Sequence, residues 1–103
     1  MPSKEELKDR AFQEIDARAD EIVSLAKTIL QHPEPGFRES KTSHLVASKF
    51  AEMGIPFRAG LALTGVRSEL VGGTAGPALA ILGELDSLIV EEHPHADSDT
   101  GAA

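Results

Sequence analysis

The sequence has 103 residues, contains no cysteine, and carries a formal net charge of −7, because 17 Asp and Glu residues outnumber 10 Lys and Arg residues. This length fits one domain and excludes a multidomain enzyme, and the lack of thiols excludes disulfides, thiolate metal ligands and a thiol nucleophile within the chain. The acidic balance argues against nucleic acid and an anionic membrane surface as partners.

No secretory signal or membrane span is predicted. The amino terminus lacks the basic start and the apolar run of a signal peptide. The longest apolar stretch, residues 78–82, is far below the ~20 residues that cross a bilayer. We therefore expect no membrane association and a cytoplasmic location.

The first predicted element is one long helix. Ser3 and Glu6 have the spacing of a capping box at its start. The prolines and the glycine of His32-Pro33-Glu34-Pro35-Gly36 end it, because they cannot continue a helix. Between these points apolar residues recur at steps of three and four, which places them on one helix face: Leu7, Ala11, Ile15, Ala19, Ile22, Ala26, Ile29 and Leu30.

A second predicted helix follows a short linker, residues 33–39. Ser40 or Thr42 can cap its start, and Gly54 stands where a left-handed C-terminal cap is expected. Pro56 prevents extension beyond that point. In the linker, His32 fits a partner for the end of the first helix, and Glu39 fits either an ion pair with its neighbour Arg38 or a cap of the second helix.

The periodicity then changes from helical to extended. Residues 57–63 alternate between apolar and other side chains, and residues 66–71 form a second candidate strand. Thr64-Gly65 is a plausible tight turn between them, so the two segments predict a β-hairpin. Residues 78–82 are a short unbroken apolar run, which is typical of a strand buried on both faces.

Two acidic side chains follow that third strand. Glu84 and Asp86 are two residues apart, so in an extended chain they share one face. Paired carboxylates at the end of a central strand can hold a hard metal or perform acid–base chemistry. The alternative is that they mark where the strand leaves the core.

The last third of the chain holds all of its net charge. Residues 68–103 contain seven acids and no Lys or Arg. Four of the polar residues here could bind a divalent cation, although a solvated acidic loop is the better explanation of them: His93, His95, Asp97 and Asp99.

Four motifs in this order resemble those of a known enzyme family. They are His32-Pro33-Glu34-Pro35-Gly36-Phe37-Arg38-Glu39, then Thr42 with Gly54-Ile55, then Thr64-Gly65-Val66, and finally Gly83-Glu84-Leu85-Asp86-Ser87-Leu88. Together they are similar to the amino-terminal part of the metal-dependent amidohydrolases, the family of aminoacylases, hippurate hydrolases and carboxypeptidases. The similarity covers nearly the whole chain.

The resemblance implies a fold and a chemistry. Residues 1–103 would form the amino-terminal piece, two helices and about three strands, of a zinc-peptidase-like α/β catalytic domain, without the dimerisation domain. The family hydrolyses amide bonds of N-acyl amino acids or small peptides with zinc or manganese, and its members are often homodimers. Asp86 would be the catalytic-site acid that orients a metal-binding histidine. At the position where the peptidase branches have a metal-binding histidine, this chain has Glu84 instead. Because the residue differs from the family's ligand, Glu84 is not assigned as a ligand.

The family's His-x-Cys-Gly-His metal motif, its Glu-Glu pair and its later metal-binding histidines are not among the 103 residues. We therefore expect the chain alone to bind no catalytic metal and to hydrolyse nothing, with the remaining segment supplied in cis or in trans. We also expect an exposed apolar patch at residues 78–82. Two alternatives are a small non-catalytic α+β interaction module that associates through a strand edge, and a weak cation-binding protein.

Overall fold

The first helix begins as the sequence predicts. In the computed structural model, which describes all 103 residues, the Ser3 hydroxyl accepts the Glu6 N–H and the Glu6 carboxylate accepts the Ser3 N–H, which forms a capping box. The chain has three helices and one hairpin: α1 (Lys4–Ala17), α2 (Ala19–Gln31), α3 (Ser40–Glu52), β1 (Phe57–Leu61) and β2 (Gly65–Ser68). None of the helices is long and apolar enough to cross a membrane.

The single long helix predicted over the first third is interrupted at Arg18. Arg18 leaves helical geometry at φ −107° and ψ 9°, and α2 starts at the next residue. No proline or glycine causes this break. The first turn of α2 carries Asp20 and Glu21, and acidic residues near a helix N-terminus stabilise a new start rather than a continuous helix.

The second predicted helix is α3, and its carboxyl end is confirmed. Gly54 adopts φ 69°, its N–H bonds the Ala51 carbonyl, and the Ile55 N–H bonds the Phe50 carbonyl. These are the two hydrogen bonds of a Schellman motif, which a left-handed glycine permits. The start is different from the prediction, because neither Ser40 nor Thr42 is the N-cap; Glu39 occupies that position without a side-chain capping bond.

The predicted hairpin is formed. Strands β1 and β2 pair antiparallel, with Phe57 opposite Ser68 and a register irregularity between Arg58 and Leu61. The turn lies at residues 62–64 rather than at Thr64-Gly65, and Gly65 opens β2. The register irregularity next to that turn is typical of a bulged hairpin.

The third predicted strand does not form. Residues 78–82 belong to no strand, and Leu79, Ile81 and Leu82 are 90%, 93% and 89% exposed. A strand of this composition needs hydrogen-bonding neighbours and cover on both faces, and β1 and β2 pair only with each other. The expected exposed apolar patch is therefore present, but as irregular chain.

The carboxyl-terminal segment folds back on itself. Ile89 and Ala102 form an isolated antiparallel bridge, and Ala102 is 1% exposed. The Thr100 hydroxyl reaches the Leu30 carbonyl at 3.3 Å, which ties this segment to the end of α2.

Very little of the chain is buried. Only four residues are shielded from solvent, and the accessible surface is 8724 Å², whereas a compact monomer of this mass exposes about 5,600 Å². The radius of gyration is 16.6 Å, against about 13 Å for a compact domain of this length. The helices and the hairpin thus lack the core of a self-sufficient domain. The buried residues are Glu39, Thr42, Gly101 and Ala102.

We predict that limited proteolysis cuts the chain first between residues 70 and 84. Every residue in this stretch is exposed and none lies in a helix or strand, and such segments fit a protease active site without unfolding. Mass spectrometry of the first products, with elastase as the protease, should show cuts after Ala or Leu residues here. First cuts within α3 would contradict the prediction.

Candidate functional site

The linker between α2 and α3 holds the most connected polar residue of the structure. The Glu34 carboxylate accepts the Thr42 N–H at 2.6 Å and the Thr42 hydroxyl at 2.8 Å through Oε1. Its Oε2 accepts the Lys41 N–H at 3.1 Å and contacts the Ser40 hydroxyl at 3.5 Å. Glu34 therefore satisfies the free N–H groups at the start of α3, a capping role from outside the helix.

Glu39 performs a different task from either one predicted. Its Oε1 accepts the Phe37 N–H at 2.8 Å, and its Oε2 accepts the Thr64 hydroxyl at 2.6 Å. It forms no ion pair with Arg38. This buried carboxylate thus fastens the hairpin turn to the linker.

All three non-glycine residues with positive φ lie in the two segments that Glu39 joins. They are Phe37 at φ 61°, Ala62 at φ 45° and Leu63 at φ 80°. Such conformations cost free energy and persist where the surrounding contacts impose them. The hydrogen bonds of Glu39 are contacts of that kind, so the Pro-Glu-x-Gly-x-x-Glu motif has a structural role here.

Hydrogen bonding lowers the pKa of both glutamates. Desolvation raises the pKa of Glu34, but the donors of Thr42 and Lys41 and the Lys41 charge outweigh it. For Glu39 the Thr64 hydroxyl is the largest cause, followed by its own N–H, and the Phe37 N–H adds to them against desolvation and the Glu34 charge. Both carboxylates therefore favour the ionised form in the folded chain.

We predict that the linker and hairpin lose stability in acid. Because the folded pKa values of Glu34 and Glu39 lie below the ordinary value of 4.5, their contribution is present above pH 4.5 and is lost as the pH falls through the lowered values. Thermal unfolding between about pH 7 and about pH 3 should show this fall. The Glu34→Gln, Glu39→Gln double variant should flatten the profile, and an unchanged slope would contradict the assignment.

The predicted catalytic acid Asp86 lies on the exposed side of its segment. Glu84 and Asp86 are exposed, whereas Leu85 and Ser87 are half-buried, so the two carboxylates share one face as expected. The Ser87 N–H donates to the main-chain carbonyl of Glu34 at 2.8 Å. This bond places the acidic segment beside the linker, although no strand carries it.

The carboxyl-terminal His and Asp residues do not assemble into a metal site. The Asp97 carboxylate accepts the N–H groups of Thr100 and Asp99 and the Thr100 hydroxyl. The Thr100 N–H, then the Asp99 N–H, lower its pKa against the effect of desolvation. The rings of His93 and His95 are 5.8 Å apart. Nowhere does the chain gather three His, Asp or Glu side chains that could hold a metal ion, so Asp97 organises a turn.

Sequence reasoning missed two partners in this region. The hydroxyl of Thr64 is 25 positions from Glu39, and no local pattern indicates that pairing. The hydrogen bond that the Thr42 hydroxyl donates to Glu34, eight positions away, was likewise not predicted. The sequence indicated Thr42 only as a possible cap of the second helix. By contrast, His32 contacts the Thr28 carbonyl through Nδ1 at 2.8 Å, as its place at a helix end suggested.

Comparison with known proteins gives homologues of one kind. No family model and no solved structure matches the chain. An Arabidopsis thaliana IAA-amino acid hydrolase ILR1-like 6 is 38% identical over 64% of the chain and 14% of its own length. N-acetyl-L-cysteine deacetylase of Bacillus subtilis is 29% identical over 79% of the chain and 20% of its own length.

Thermostable carboxypeptidase 2 of Saccharolobus solfataricus is 30% identical over 84% of the chain and 22% of its own length. The chain thus spans about a fifth of the length of the curated relatives it matches. The homologues combine amide-hydrolysing and peptide-hydrolysing enzymes, as the resemblance of the motifs implies. Over the matched stretch, this chain is homologous to the metal-dependent family of amidohydrolases and carboxypeptidases.

Proposed function

We propose that residues 1–103 are part of the catalytic domain of a metal-dependent hydrolase that cleaves amide bonds of N-acyl amino acids or small peptides. The homologues are hydrolases of this kind. The observation that carries the domain assignment is the accessible surface of 8724 Å², about half as large again as that of a compact monomer. Further polypeptide that covers residues 78–82 would complete the core.

On this proposal the catalytic metal, zinc or manganese, is held by residues outside these 103. The chain's own side chains do not fit a metal site, because no three potential ligands converge. The chain alone is therefore expected to be inactive. Separately, we propose the cytoplasm as its compartment. An isolated 103-residue protein that released acetate from N-acetyl amino acids with added zinc or manganese would contradict this part of the proposal.

Asp86 is the residue that we propose contributes to the site of the complete enzyme, as the acid that orients a metal-binding histidine. Its support is the position in the Gly83-Glu84-Leu85-Asp86-Ser87-Leu88 motif, the exposed carboxylate, and the bond from neighbouring Ser87 that anchors the segment. A carboxylate in this position fixes the imidazole orientation and raises its basicity. Asp86 is thus a positioning residue for the proposed chemistry.

In the active enzyme that contains these residues, Asp86→Asn should lower metal affinity and kcat by about 10–100-fold. Metal content after dialysis and the rate of amide hydrolysis measure the two effects separately. Asp99→Asn is the matched control, because Asp99 is exposed and accepts no side-chain hydrogen bond. Equal metal content and activity in the two variants would show that Asp86 has no such role.

A further inference from the structure

Two hydrogen bonds join residues 70–103 to the helices and the hairpin. The Ser87 N–H donates to the Glu34 main-chain carbonyl at 2.8 Å, and the Thr100 hydroxyl reaches a main-chain carbonyl of α2 at 3.3 Å. The second bond is shared, because this hydroxyl has one proton and also lies 3.2 Å from Asp97 Oδ1. The bond between Ser87 and Glu34 is therefore the main polar tie between the two parts of the chain.

Glu34 is itself held at both its side chain and its main chain. Its carboxylate accepts the N–H groups of Lys41 and Thr42 and the Thr42 hydroxyl, which fastens the side chain to the start of α3. Its main chain stands between Pro33 and Pro35. Each proline ring fixes its own φ, and Pro35 restricts the preceding residue to extended conformations. The Glu34 carbonyl therefore has little freedom to move relative to α3.

The peptide unit that Glu34 holds begins at Asp86. The Ser87 N–H belongs to the planar group of atoms that runs from the Asp86 Cα to the Ser87 Cα. A hydrogen bond to that N–H therefore restrains the Asp86 main chain as well. Ser87 is half-buried and Asp86 is exposed, so Glu34 fixes the base of the Asp86 side chain and leaves its carboxylate open to solvent.

We infer that Glu34 is a positioning residue for Asp86. The start of α3, the Glu34 side chain and carbonyl, and the Asp86–Ser87 peptide unit form one continuous path of contacts. The inference rests on the proposed function, since it assumes that Asp86 contributes to the site of the complete enzyme. Release of Glu34 from α3 would let the Asp86 carboxylate move, and a displacement of about 1 Å can lower a rate by about 100-fold.

The test is a double-mutant cycle in the active enzyme that contains these residues. Glu34→Ala should lower kcat for amide hydrolysis by about tenfold with little change in KM, because positioning acts in the transition state. If Glu34 acts through Asp86, its removal should have no further effect once Asp86→Asn is present. The double variant should therefore match Asp86→Asn in kcat within about twofold.

Hydrogen exchange of the same enzyme gives a readout that does not depend on activity. Mass spectrometry of peptides that contain the Ser87 amide should show that this amide loses protection in Glu34→Ala. Glu34→Gln keeps an oxygen acceptor for the N–H groups of α3, so it should recover part of both kcat and Ser87 protection. Because it is the milder change, it also tests the inference if Glu34→Ala does not fold.

Ser3→Ala is the matched control, because it removes the N-cap of α1, a helix with no hydrogen bond to residues 70–103. It should leave kcat and Ser87 protection unchanged.

The failure of this inference is distinguishable from that of the proposed function. If Asp86→Asn lowers kcat and Glu34→Ala lowers it by the same factor with and without that change, only the positioning role of Glu34 is overturned. Unchanged Ser87 protection in Glu34→Ala, or equal effects of Ser3→Ala, would overturn it too. If Asp86→Asn leaves kcat unchanged, the proposed role of Asp86 fails and the inference fails with it.

Discussion

Gly65→Ala is expected to destabilise the hairpin by about 1–3 kcal/mol, the range typical of overpacking. A Cβ at this position would lie 2.6 Å from the Leu61 carbonyl oxygen and 3.3 Å from the Leu61 Cβ. The first of these atoms is main chain and cannot move aside without breaking the β1–β2 pairing. Amide hydrogen exchange in β1 and β2 measures the loss directly, since opening of the pair exposes its N–H groups.

Gly72→Ala provides the matched control for this experiment. Nothing lies within 4 Å of a Cβ added there, and its φ is not in the left-handed region. The control should leave hairpin exchange unchanged. If the amides of β1 and β2 exchange at the same rate in the two variants, the close approach at Gly65 does not exclude a larger side chain. The described geometry of the turn would then be incorrect.

Glu34→Ala is expected to destabilise the α3 region by about 1–2 kcal/mol, as loss of a helix N-cap does. The substitution removes the acceptor for the N–H groups of Lys41 and Thr42 and leaves the buried Thr42 hydroxyl without a partner. Unsatisfied buried donors add to the cost. The helical signal on thermal unfolding, followed by circular dichroism, measures the change.

Glu34→Gln should recover part of the stability, because its carbonyl oxygen still accepts one or two of these bonds. Glu69→Ala serves as the control for charge, since Glu69 is exposed and caps no helix. If Glu34→Ala is as stable to heat as Glu69→Ala, Glu34 does not cap α3.

Local signals were sufficient for the features that depend on neighbours along the chain. The capping box of Ser3, the glycine C-cap at Gly54 and the hairpin were all predictable, because their partners lie a few positions apart. The strand at residues 78–82 was not formed, because apolar composition predicts a buried strand only where neighbours exist to pair with it. Its side chains remain exposed here.

In the candidate site too, features set by neighbours along the chain were predictable and features set by distant contacts were not. That Glu84 and Asp86 share a face was predictable from the two-residue period of extended chain. The roles of Glu34 and Glu39 were not, since both depend on how α3 and the hairpin pack against the linker. The motif that contains Glu34 and Glu39 was noted for its resemblance to a family, and in the structure these two residues have hydrogen-bonding roles.

The most direct test of the proposed hydrolase function is recovery of these residues from the native source with an amino-terminal affinity tag. The recovered material should be either a polypeptide much larger than 10.9 kDa or a complex with a second polypeptide. With zinc or manganese, it should release acetate from N-acetyl amino acids, and the Asp86→Asn form should not match that rate. A lone 10.9 kDa chain without any such amidase activity in the recovered material would contradict the account.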